Sequence, residues 1–547
     1  MGIKKAKKLM ALTLATAIIA SSGQQVPIID DVFKTISVEA AGYAQAEGFG
    51  YQIKPDGTAV ICEYNGRSGY ISVPTSLGGA TVTEIGEEAF AHYWDDGSAQ
   101  PITDIIIPNT VTKIGNGAFS DTPTLKNVTL PDSVTEIGDD IFYGAVGLVS
   151  VNIPASITEL NSNMFAGCTA LSNVSLPSTL KTIKNGAFRD CRSLSNLSIP
   201  SSVTSIEYGA FENCTSLSSV TLPSGITEIS NSLFAGCTSL TNINIPDGVT
   251  NIDENAFYGC SALTSIKIPS KVTEIKKNTF LDCSSLSSVT INSGIKSIGE
   301  AAFRNCTSLT SVIVPTSVTA IGDNAFKGCT ALSKVSLSAK IKSIGRGAFQ
   351  NCKKLTYVKL PAALTTITED SFSGCSSLKN IVIPKKVTSI DNYAFYDCDV
   401  LAYVAFPLSI KHIGIDAFGE CGKLKKIYYV GTKAQWKAFQ AADTTGDYDA
   451  LENIIKAGIN AKSTGPKKNV LTLEVSTMTL KKGDVKKLKY TIKGNKNCLN
   501  VTFKSSNKEV ATVGKTTGKI TAKKAGTVVI TVRTDSGLVK KCKVTVK

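Results

Sequence analysis

Histidine is almost absent from this sequence, with two among 547 residues. Many nucleophilic and metal-dependent enzymes use histidine as a base or as a metal ligand. The chain also has no glycine-rich phosphate loop and no H-E-x-x-H or G-x-S-x-G motif. The sequence therefore argues against an enzyme, and it indicates no cofactor and no metal site.

Neither histidine lies in a convincing catalytic setting. His412 occupies a position of a repeated unit that other units fill with Ser, Glu or Thr, which predicts an ordinary surface residue. His92 lies in the segment AHYWDDGSAQP beside two aspartates. A histidine with two acids can supply acid/base groups or metal ligands, but we favour a binding loop without chemistry.

Long apolar runs are also missing. The run LMALTLATAIIA has twelve residues, which is too few to span a bilayer. No later apolar run is long enough to span a bilayer. With the four lysines of MGIKKAKK before it, the twelve-residue run predicts a secretory signal. Cleavage could follow Ala20 or Ala40, and we favour Ala40. The sequence predicts a secreted protein of the extracellular cell surface, without a transmembrane segment.

Acidic residues are scarce in the C-terminal part of the chain. Residues 466–547 have 20 Lys and Arg against four acids, a net charge of +16, so the rest of the chain contributes −2 to its total of +14. A uniformly basic protein would suggest a nucleic-acid partner. Because the charge belongs to one terminal module, we expect no nucleic acid. The module could associate electrostatically with an anionic cell envelope, or its lysines could merely keep it soluble.

What the chain has in abundance is a repeat of 23 residues, which runs over thirteen periods without an insertion. The unit is L-x-x-[VIL]-x-[LIVF]-P-x-x-[VLI]-x-x-[IL]-x-x-x-x-F-x-x-C-x-x, and its leucines keep one interval from Leu125 to Leu424. Alternating apolar residues predict a short half-buried strand, which proline ends. The repeated phenylalanines are Phe119, Phe142, Phe165, Phe188, Phe211, Phe234, Phe257, Phe280, Phe303, Phe326, Phe349, Phe372, Phe395 and Phe418.

One such unit cannot bury its own apolar side, but stacked units can. The period and the L-x-x-L-x-L core are those of a leucine-rich repeat. The sequence therefore predicts a right-handed leucine-rich-repeat solenoid of short parallel β-strands and turns. Its phenylalanine and leucine ladders should be buried, with one parallel sheet on one face.

Twelve cysteines follow the phenylalanines at the same interval. Equivalent side chains of successive coils point in parallel, whereas a disulfide needs Cβ atoms turned towards each other and zinc needs converging ligands. We therefore predict that each is a reduced, buried, small apolar side chain. They are Cys168, Cys191, Cys214, Cys237, Cys260, Cys283, Cys306, Cys329, Cys352, Cys375, Cys398 and Cys421.

The unit, as in LTSIKIPSKVTEIKKNTFLDCSS at residues 263–285, resembles the BspA-like leucine-rich repeats of bacterial surface proteins. The resemblance covers about residues 48–440. It implies an N-terminal cap hairpin with a first irregular repeat, and a C-terminal cap that begins at IYYVGTKAQWKAF. The segment AHYWDDGSAQP departs from the pattern, because it stretches the first interval to 29 residues.

After the linker STGPKK, short alternating runs broken by Gly, Asn and Lys predict a small all-β sandwich. This stretch resembles the group 2 bacterial immunoglobulin-like domain, which implies a spacer or adhesion module. Cys498 and Cys542 could pair in an exported protein, and the sequence leaves this open. The predicted divisions are signal 1–40, N-terminal cap 41–107, repeats 108–426, C-terminal cap 427–462, linker 463–468 and Ig-like domain 469–547.

Two non-enzymatic functions remain: an adhesin-like protein that binds a host or bacterial protein or glycan, and a structural spacer or envelope component without a specific ligand. The exposed strand positions are Ser, Thr and Asn from Asn127 to Asn244, but later include Tyr and Lys, which favours binding. Tyr93 and Trp94 form an alternative binding loop. The predicted ligand-binding residues are Lys334, Tyr357, Lys359, Tyr403, Lys426 and Tyr428.

Overall fold

A computed structural model of the chain divides it into two units, Met1–Gly294 and Ile295–Lys547. The predicted signal, the Tyr93 and Trp94 loop, the linker and Cys498 lie outside the described residues. No helix among the described residues is long and apolar enough to cross a membrane. The structure describes residues 43–66, 69–91, 101–443, 446, 470–493, 501–534 and 538–547.

The first unit begins with an antiparallel arrangement in which Phe49–Ile53 pairs with both of its neighbours along the chain. Ala59–Tyr64 then pairs in parallel with Ala80–Ile85, where the repeating architecture starts. The rings of Phe49 and Tyr64 pack on Phe90, so that aromatic side chains cover this end of the phenylalanine ladder. The strands are Ala44–Ala46, Phe49–Ile53, Ala59–Tyr64, Ser76–Leu77 and Ala80–Ile85.

Short three-residue strands form a parallel ladder in this unit, as predicted. Residues 23 apart are paired, as Val128 with Val151 and Val151 with Val174. The middle residue of a strand faces the core while the residues on either side face outward, because side chains alternate along a strand. The strands are Tyr70–Ser72, Asp104–Ile106, Asn127–Thr129, Ser150–Asn152, Asn173–Ser175, Asn196–Ser198, Ser219–Thr221, Ser265–Lys267 and Ser288–Thr290.

A second parallel ladder, of two-residue strands, follows the proline turns. The sequence predicted one sheet. In the structure, the second apolar pair of the 23-residue repeat also forms a strand, as at Ser205–Ile206. In the first unit the further strands of this ladder are Lys113–Ile114, Glu136–Ile137, Glu159–Leu160, Thr182–Ile183, Glu228–Ile229, Asn251–Ile252 and Glu274–Ile275.

The second unit has the same two ladders. Its longer strands are Ser311–Ile313, Lys334–Ser336, Asn380–Val382, Tyr403–Phe406 and Lys426–Tyr429. Its short strands are Ser297–Ile298, Ala320–Ile321, Ser343–Ile344, Thr366–Ile367, Ser389–Ile390 and His412–Ile413.

One helix, Lys433–Ala442, follows the last coil of the second unit. Thr432 and Gln435 form a capping box at its N-terminus, which satisfies two free backbone N–H groups. Trp436 is buried, with its ring centroid 5.8 Å from Phe406 and 5.1 Å from Tyr429. The helix therefore lays its apolar face over the last coil and keeps it from water, as a capping element must.

The buried phenylalanine and leucine ladders confirm the predicted core. Phe257 and Leu240 are both 0% exposed. Within the first unit, the ring of Phe257 stacks on Phe234 at 5.7 Å and on Phe280 at 5.5 Å between centroids, with interplanar angles of 13° and 6°. Each ring is thus in offset contact with the next coil, an arrangement favourable for aromatic pairs.

Each phenylalanine is flanked by two residues in the left-handed backbone region. They lie two positions before and two after it, as do Asn163 (φ 49°) and Gly167 (φ 79°) around Phe165. Most of these positions hold Gly, Asn or Asp, which tolerate positive φ best. The exceptions are Ser232 (φ 55°), Ala301 (φ 50°), Tyr393 (φ 56°) and Glu420 (φ 55°). The two bends carry the chain round the corner that contains the phenylalanine.

The C-terminal strands of the second unit form a small β-structure with its own core around Phe503, Ile530 and Val544. One sheet consists of Thr477–Leu480, Val539–Val546, Gly526–Thr534 and Val501–Ser505, in that order. The other strands are Val470–Leu473, Val485–Lys487, Tyr490–Lys493, Ala511–Val513 and Lys519–Ala522. Cys542 is a buried free thiol here.

Candidate binding face

The outward residues of the three-residue strands form a continuous surface within each unit, which we call the strand face. In the first unit most of its side chains are Ser, Thr or Asn, with Tyr70, Asp104, Ile106 and Lys267 as exceptions. Asn127 donates from Nδ2 to Asp104 Oδ1 over 2.8 Å, and this hydrogen bond lowers the pKa of the Asp104 carboxyl. A shallow concavity of about 300 Å³ lies over three coils, lined by Ser150, Asn152 and Asn173 among others. This part of the strand face is polar and almost uncharged.

A larger concavity of about 490 Å³ lies further along the first unit, beside Lys267, Lys271 and Asn292. Asn292 occupies the position at which most of the 23-residue repeats have proline, and its side-chain amide donates to Val272 O over 3.0 Å. Lys267 lies 3.7 Å from the carboxylate of Asp247. The lysine charge is therefore partly offset by a neighbouring acid.

In the second unit the strand face has a different composition. Lys334 and Lys359 are exposed, and neither forms an ion pair with a described residue. Tyr357 and Tyr403 are half-buried, while Tyr428 is 41% exposed. Lys426 pairs through its backbone with Tyr403. Lys334, Tyr403 and Tyr428 thus occupy outward strand positions of the second unit, while Tyr357 and Lys359 hold the equivalent repeat positions in a segment that is not assigned to a strand.

Tyr403 and Tyr428 lie against each other. Their ring centroids are 5.6 Å apart at an interplanar angle of 86°, an edge-to-face contact. Ala405 is the backbone partner of Tyr428 and is itself buried. Tyr357 lies two coils before Tyr403, so the three tyrosines provide one paired aromatic contact and one separate contact.

Sequence reasoning missed three residues of this surface. Asn380 holds an outward position, yet it is only 3% exposed, and its strand partner on the next coil is Tyr403. Ile313 and Val382 are apolar and remain 76% and 50% exposed. The signal was present in the sequence, since all three stand at the outward positions of the repeat.

The prediction that His412 is an ordinary surface residue is wrong. Its Nδ1 lies 3.0 Å from Asp443 Oδ1, and Asp443 is buried at the C-terminus of the helix. Asp443 also accepts the backbone N–H of Ile413 over 3.2 Å. His412 therefore joins the last coil to the capping helix.

The cysteine ladder is a row of free thiols, as predicted, and its members are buried except Cys421, which is half-buried. Eleven of these thiols donate to the carbonyl of the phenylalanine one coil earlier, as Cys191 Sγ does to Phe165 O over 3.2 Å. Burial raises the pKa of Cys329 and Cys375 to about 12. Nucleophilic cysteines need the opposite shift. Among the described residues, no three His, Cys, Asp or Glu side chains are placed to hold a metal ion.

Two family models match the chain. The BspA type leucine-rich repeat region matches residues 83–218, 204–333 and 319–443. The bacterial Ig-like domain of group 2 matches residues 470–545. Among curated proteins, none matches the chain.

Solved structures of bacterial leucine-rich repeat proteins are similar to most of the chain. A leucine-rich repeat protein from Bacteroides ovatus ATCC 8483 is 26% identical, covers 74% of this chain and 98% of its own, and has a TM-score of 0.52. A leucine-rich cell surface protein from Faecalibacterium prausnitzii A2-165 is 29% identical over 74% and 98%, with a TM-score of 0.43. The pneumococcal vaccine antigen PcpA is 20% identical over 74% and 97%, with a TM-score of 0.41.

The repeat, its register and its buried ladders agree with the family models over most of the chain. Proteins with this fold typically bind other molecules and are not catalytic. The chain belongs to the BspA-type leucine-rich repeat family and ends in a bacterial Ig-like domain of group 2.

Proposed function

We propose that this protein is a secreted, surface-associated, adhesin-like binding protein without enzymatic activity. It presents the strand face of its second unit to an extracellular protein or glycan, of a host or of another bacterium. The observation that carries the proposal is the concentration of lysines and tyrosines at outward repeat positions of the second unit, where most outward positions of the first unit hold Asn, Ser or Thr. A structural spacer would have no use for such a difference.

The chemistry of these side chains suits recognition. Tyrosine offers a large contact area with little loss of conformational entropy. Exposed apolar side chains such as Ile313 add apolar surface that would be buried on binding. Lys334, Lys359 and Lys426 would favour an acidic partner and speed its approach. The paired rings of Tyr403 and Tyr428 are the strongest anchor.

The distance along the coils indicates an extended ligand. Tyr357 and Tyr403 are two coils apart, roughly 10 Å at ordinary strand spacing. One small molecule would not contact all three tyrosines together. A polypeptide segment or an acidic glycan chain lying along the strand face would do so.

Two sequence features support surface association. The predicted secretory signal directs export, and the net charge of +16 on residues 466–547 would attract a polyanionic envelope. Retention of this kind needs no covalent anchor and weakens as salt screens the charges.

The decisive experiment compares two triple variants of the secreted protein. In the first, Tyr357, Tyr403 and Tyr428 are replaced by Ser; in the matched control, Asn127, Asn173 and Asn196 at outward positions of the first unit are replaced by Ser. Binding to matrix proteins, glycans and cells should fall at least tenfold for the tyrosine variant, as for loss of interface anchors worth about 2 kcal/mol together. The control should bind like the parent.

Thermal unfolding of both variants separates lost binding from lost folding, since no core ladder residue is changed. If the tyrosine variant is folded and binds as well as the parent, the strand-face assignment is wrong and the spacer function gains support. Variants of Tyr93 and Trp94 then test the alternative loop.

A further inference from the structure

One face of the Ig-like domain concentrates cations on neighbouring strands. In the strands Val501–Ser505, Gly526–Thr534 and Val539–Val546, core residues alternate with exposed or half-buried ones. The residues that point away from the core include Lys504, Arg533, Lys541 and Lys543, all exposed. We call this surface the basic sheet face.

No acid offsets this charge within the described part of the domain. Its described acids are Glu474, Asp484 and Glu509, and all three lie outside the four strands of this sheet. Glu474 is instead 3.8 Å from Lys489. The four cations form no ion pair with a described residue. Like charges on neighbouring sheet positions repel each other, so the arrangement is unfavourable in the absence of an anion.

The register places the cations at regular intervals. Arg533 is opposite Val539, and Lys541 is the next outward residue after Val539, so Arg533 and Lys541 are diagonal neighbours at about 7–8 Å. Lys541 and Lys543 lie about 7 Å apart along one strand. Lys504 lies two strands from Lys541, about 10 Å away across Thr531. Three cations therefore form a line and the fourth stands beside it.

Threonines lie beside these cations on the neighbouring strands. Thr502 is opposite Arg533, Thr531 is opposite Lys541, and Thr477 is opposite Lys543. Hydroxyl groups donate hydrogen bonds to phosphate oxygens, as do lysine ammonium groups. The planar guanidinium of arginine matches two phosphate oxygens at once.

We propose that the basic sheet face binds a linear phosphodiester polymer of the cell envelope, whose phosphates are joined by short polyol spacers. The cation intervals are comparable with the distance between phosphates joined by a three-carbon spacer, so successive phosphates meet Arg533, Lys541 and Lys543 in turn. This inference rests on the electrostatic retention proposed above, and it assigns that retention to one face. It is independent of the tyrosine surface.

The test uses the full secreted chain and synthetic poly(glycerol phosphate) as the probe. A face variant carries Lys504→Gln, Arg533→Gln, Lys541→Gln and Lys543→Gln. A matched control carries Lys487→Gln, Lys515→Gln, Lys519→Gln and Lys524→Gln, which remove the same four charges from exposed positions elsewhere in the domain. The face variant should lose affinity on the order of a hundredfold at low salt, with a shallower salt dependence, and the control should lose far less.

Three results would overturn the assignment. Equal losses in the two variants would mean that total charge attracts the polymer, which leaves the general retention proposal intact. Failure of the parent protein to bind poly(glycerol phosphate) would show that the basic sheet face does not bind a phosphodiester polymer. Tighter binding of heparin than of poly(glycerol phosphate) would point to a sulfated glycan. Circular dichroism of each variant confirms that the domain is folded, since every changed side chain is exposed.

Discussion

At the scale of single residues, the corner of each coil depends on a carbonyl group that accepts two hydrogen bonds. Phe165 O accepts the backbone N–H of Cys168 over 3.0 Å and the thiol of Cys191 over 3.2 Å. Valine or alanine would fill this corner but would offer no donor. Cysteine is small and apolar enough to be buried and still has a weak donor, which explains its recurrence better than size alone.

Replacement of one ladder ring should be costly. Phe257→Ala removes a fully buried side chain that contacts a ring on each side, so we expect the free energy of unfolding to fall by about 3–5 kcal/mol. Denaturant unfolding measures the loss, and hydrogen exchange should place it mainly in the adjacent coils, because each coil contacts only its neighbours. Unchanged stability would contradict the register.

The ladder thiols should resist alkylation in the folded protein. Burial raises the pKa of Cys260 well above its ordinary value of 9.0, so the reactive thiolate stays unpopulated when the pH reaches about 9. Mass spectrometry after iodoacetamide treatment should find the half-buried Cys62 and Cys421 modified first, and all thiols modified in denaturant. A ladder thiol that reacts as fast as Cys62, or a link between Cys260 and Cys283, would refute this prediction.

The same shift gives stability a pH dependence. Above about pH 9 the unfolded chain releases thiol protons that the folded chain retains, so the free energy of unfolding should fall as the pH rises. Below that value the thiols are protonated in both states and contribute no pH dependence. Unfolding curves in reducing agent between about pH 8 and 10 test this sign.

At the scale of the elements, the regular interval made the first ladder predictable and left other features hidden. A period of 23 with alternating apolar residues fixes which residues stack, so the buried positions of Leu240 and Phe257 followed directly. A strand of two residues has too little alternation to reveal itself, which is why the second ladder was missed. The contact of His412 with Asp443 joins residues 31 apart in sequence, outside the repeat.

The two left-handed positions in each coil give a prediction for backbone strain. Ala301 has φ 50°, where a Cβ atom is unfavourable and glycine is not. Ala301→Gly should raise the free energy of unfolding by about 0.5–1 kcal/mol, even after the loss of chain entropy. The neighbouring substitution Ala302→Gly is the control, since Ala302 has no positive φ, and it should destabilise. The opposite order of the two variants would show that Ala301 is unstrained.

At the scale of the whole molecule, charge is unevenly distributed along the chain. The residues before Pro466 sum to −2 and those from Pro466 onward to +16. Only part of the candidate strand face could be predicted from the sequence. Its tyrosines and lysines appear at outward positions of the repeat, but the contact of Tyr403 with Tyr428 and the burial of Asn380 depend on side-chain conformations.

Salt should release the protein from cells if electrostatic attraction retains it. In about 1 M NaCl the Debye length is near 3 Å, so attraction between exposed charges is largely lost. We expect a high-salt wash to move most of the protein to the supernatant, as measured by immunoblot, while an equal volume of low-salt buffer leaves it on the cells. Protein that stays on the cells in high salt is held by another interaction.

The constant register between coils affects how the number of repeats can change in evolution. Strand partners such as Val151 and Val174 are 23 residues apart, so the backbone hydrogen-bonding groups of one coil face equivalent groups on the next coil. Removal or duplication of one such segment would leave donors facing acceptors of the same kind. Recombination between the similar coding segments could therefore alter the number of coils without disturbing their fold. Descendants of one gene could then differ in the length of the strand face while sharing the same local architecture.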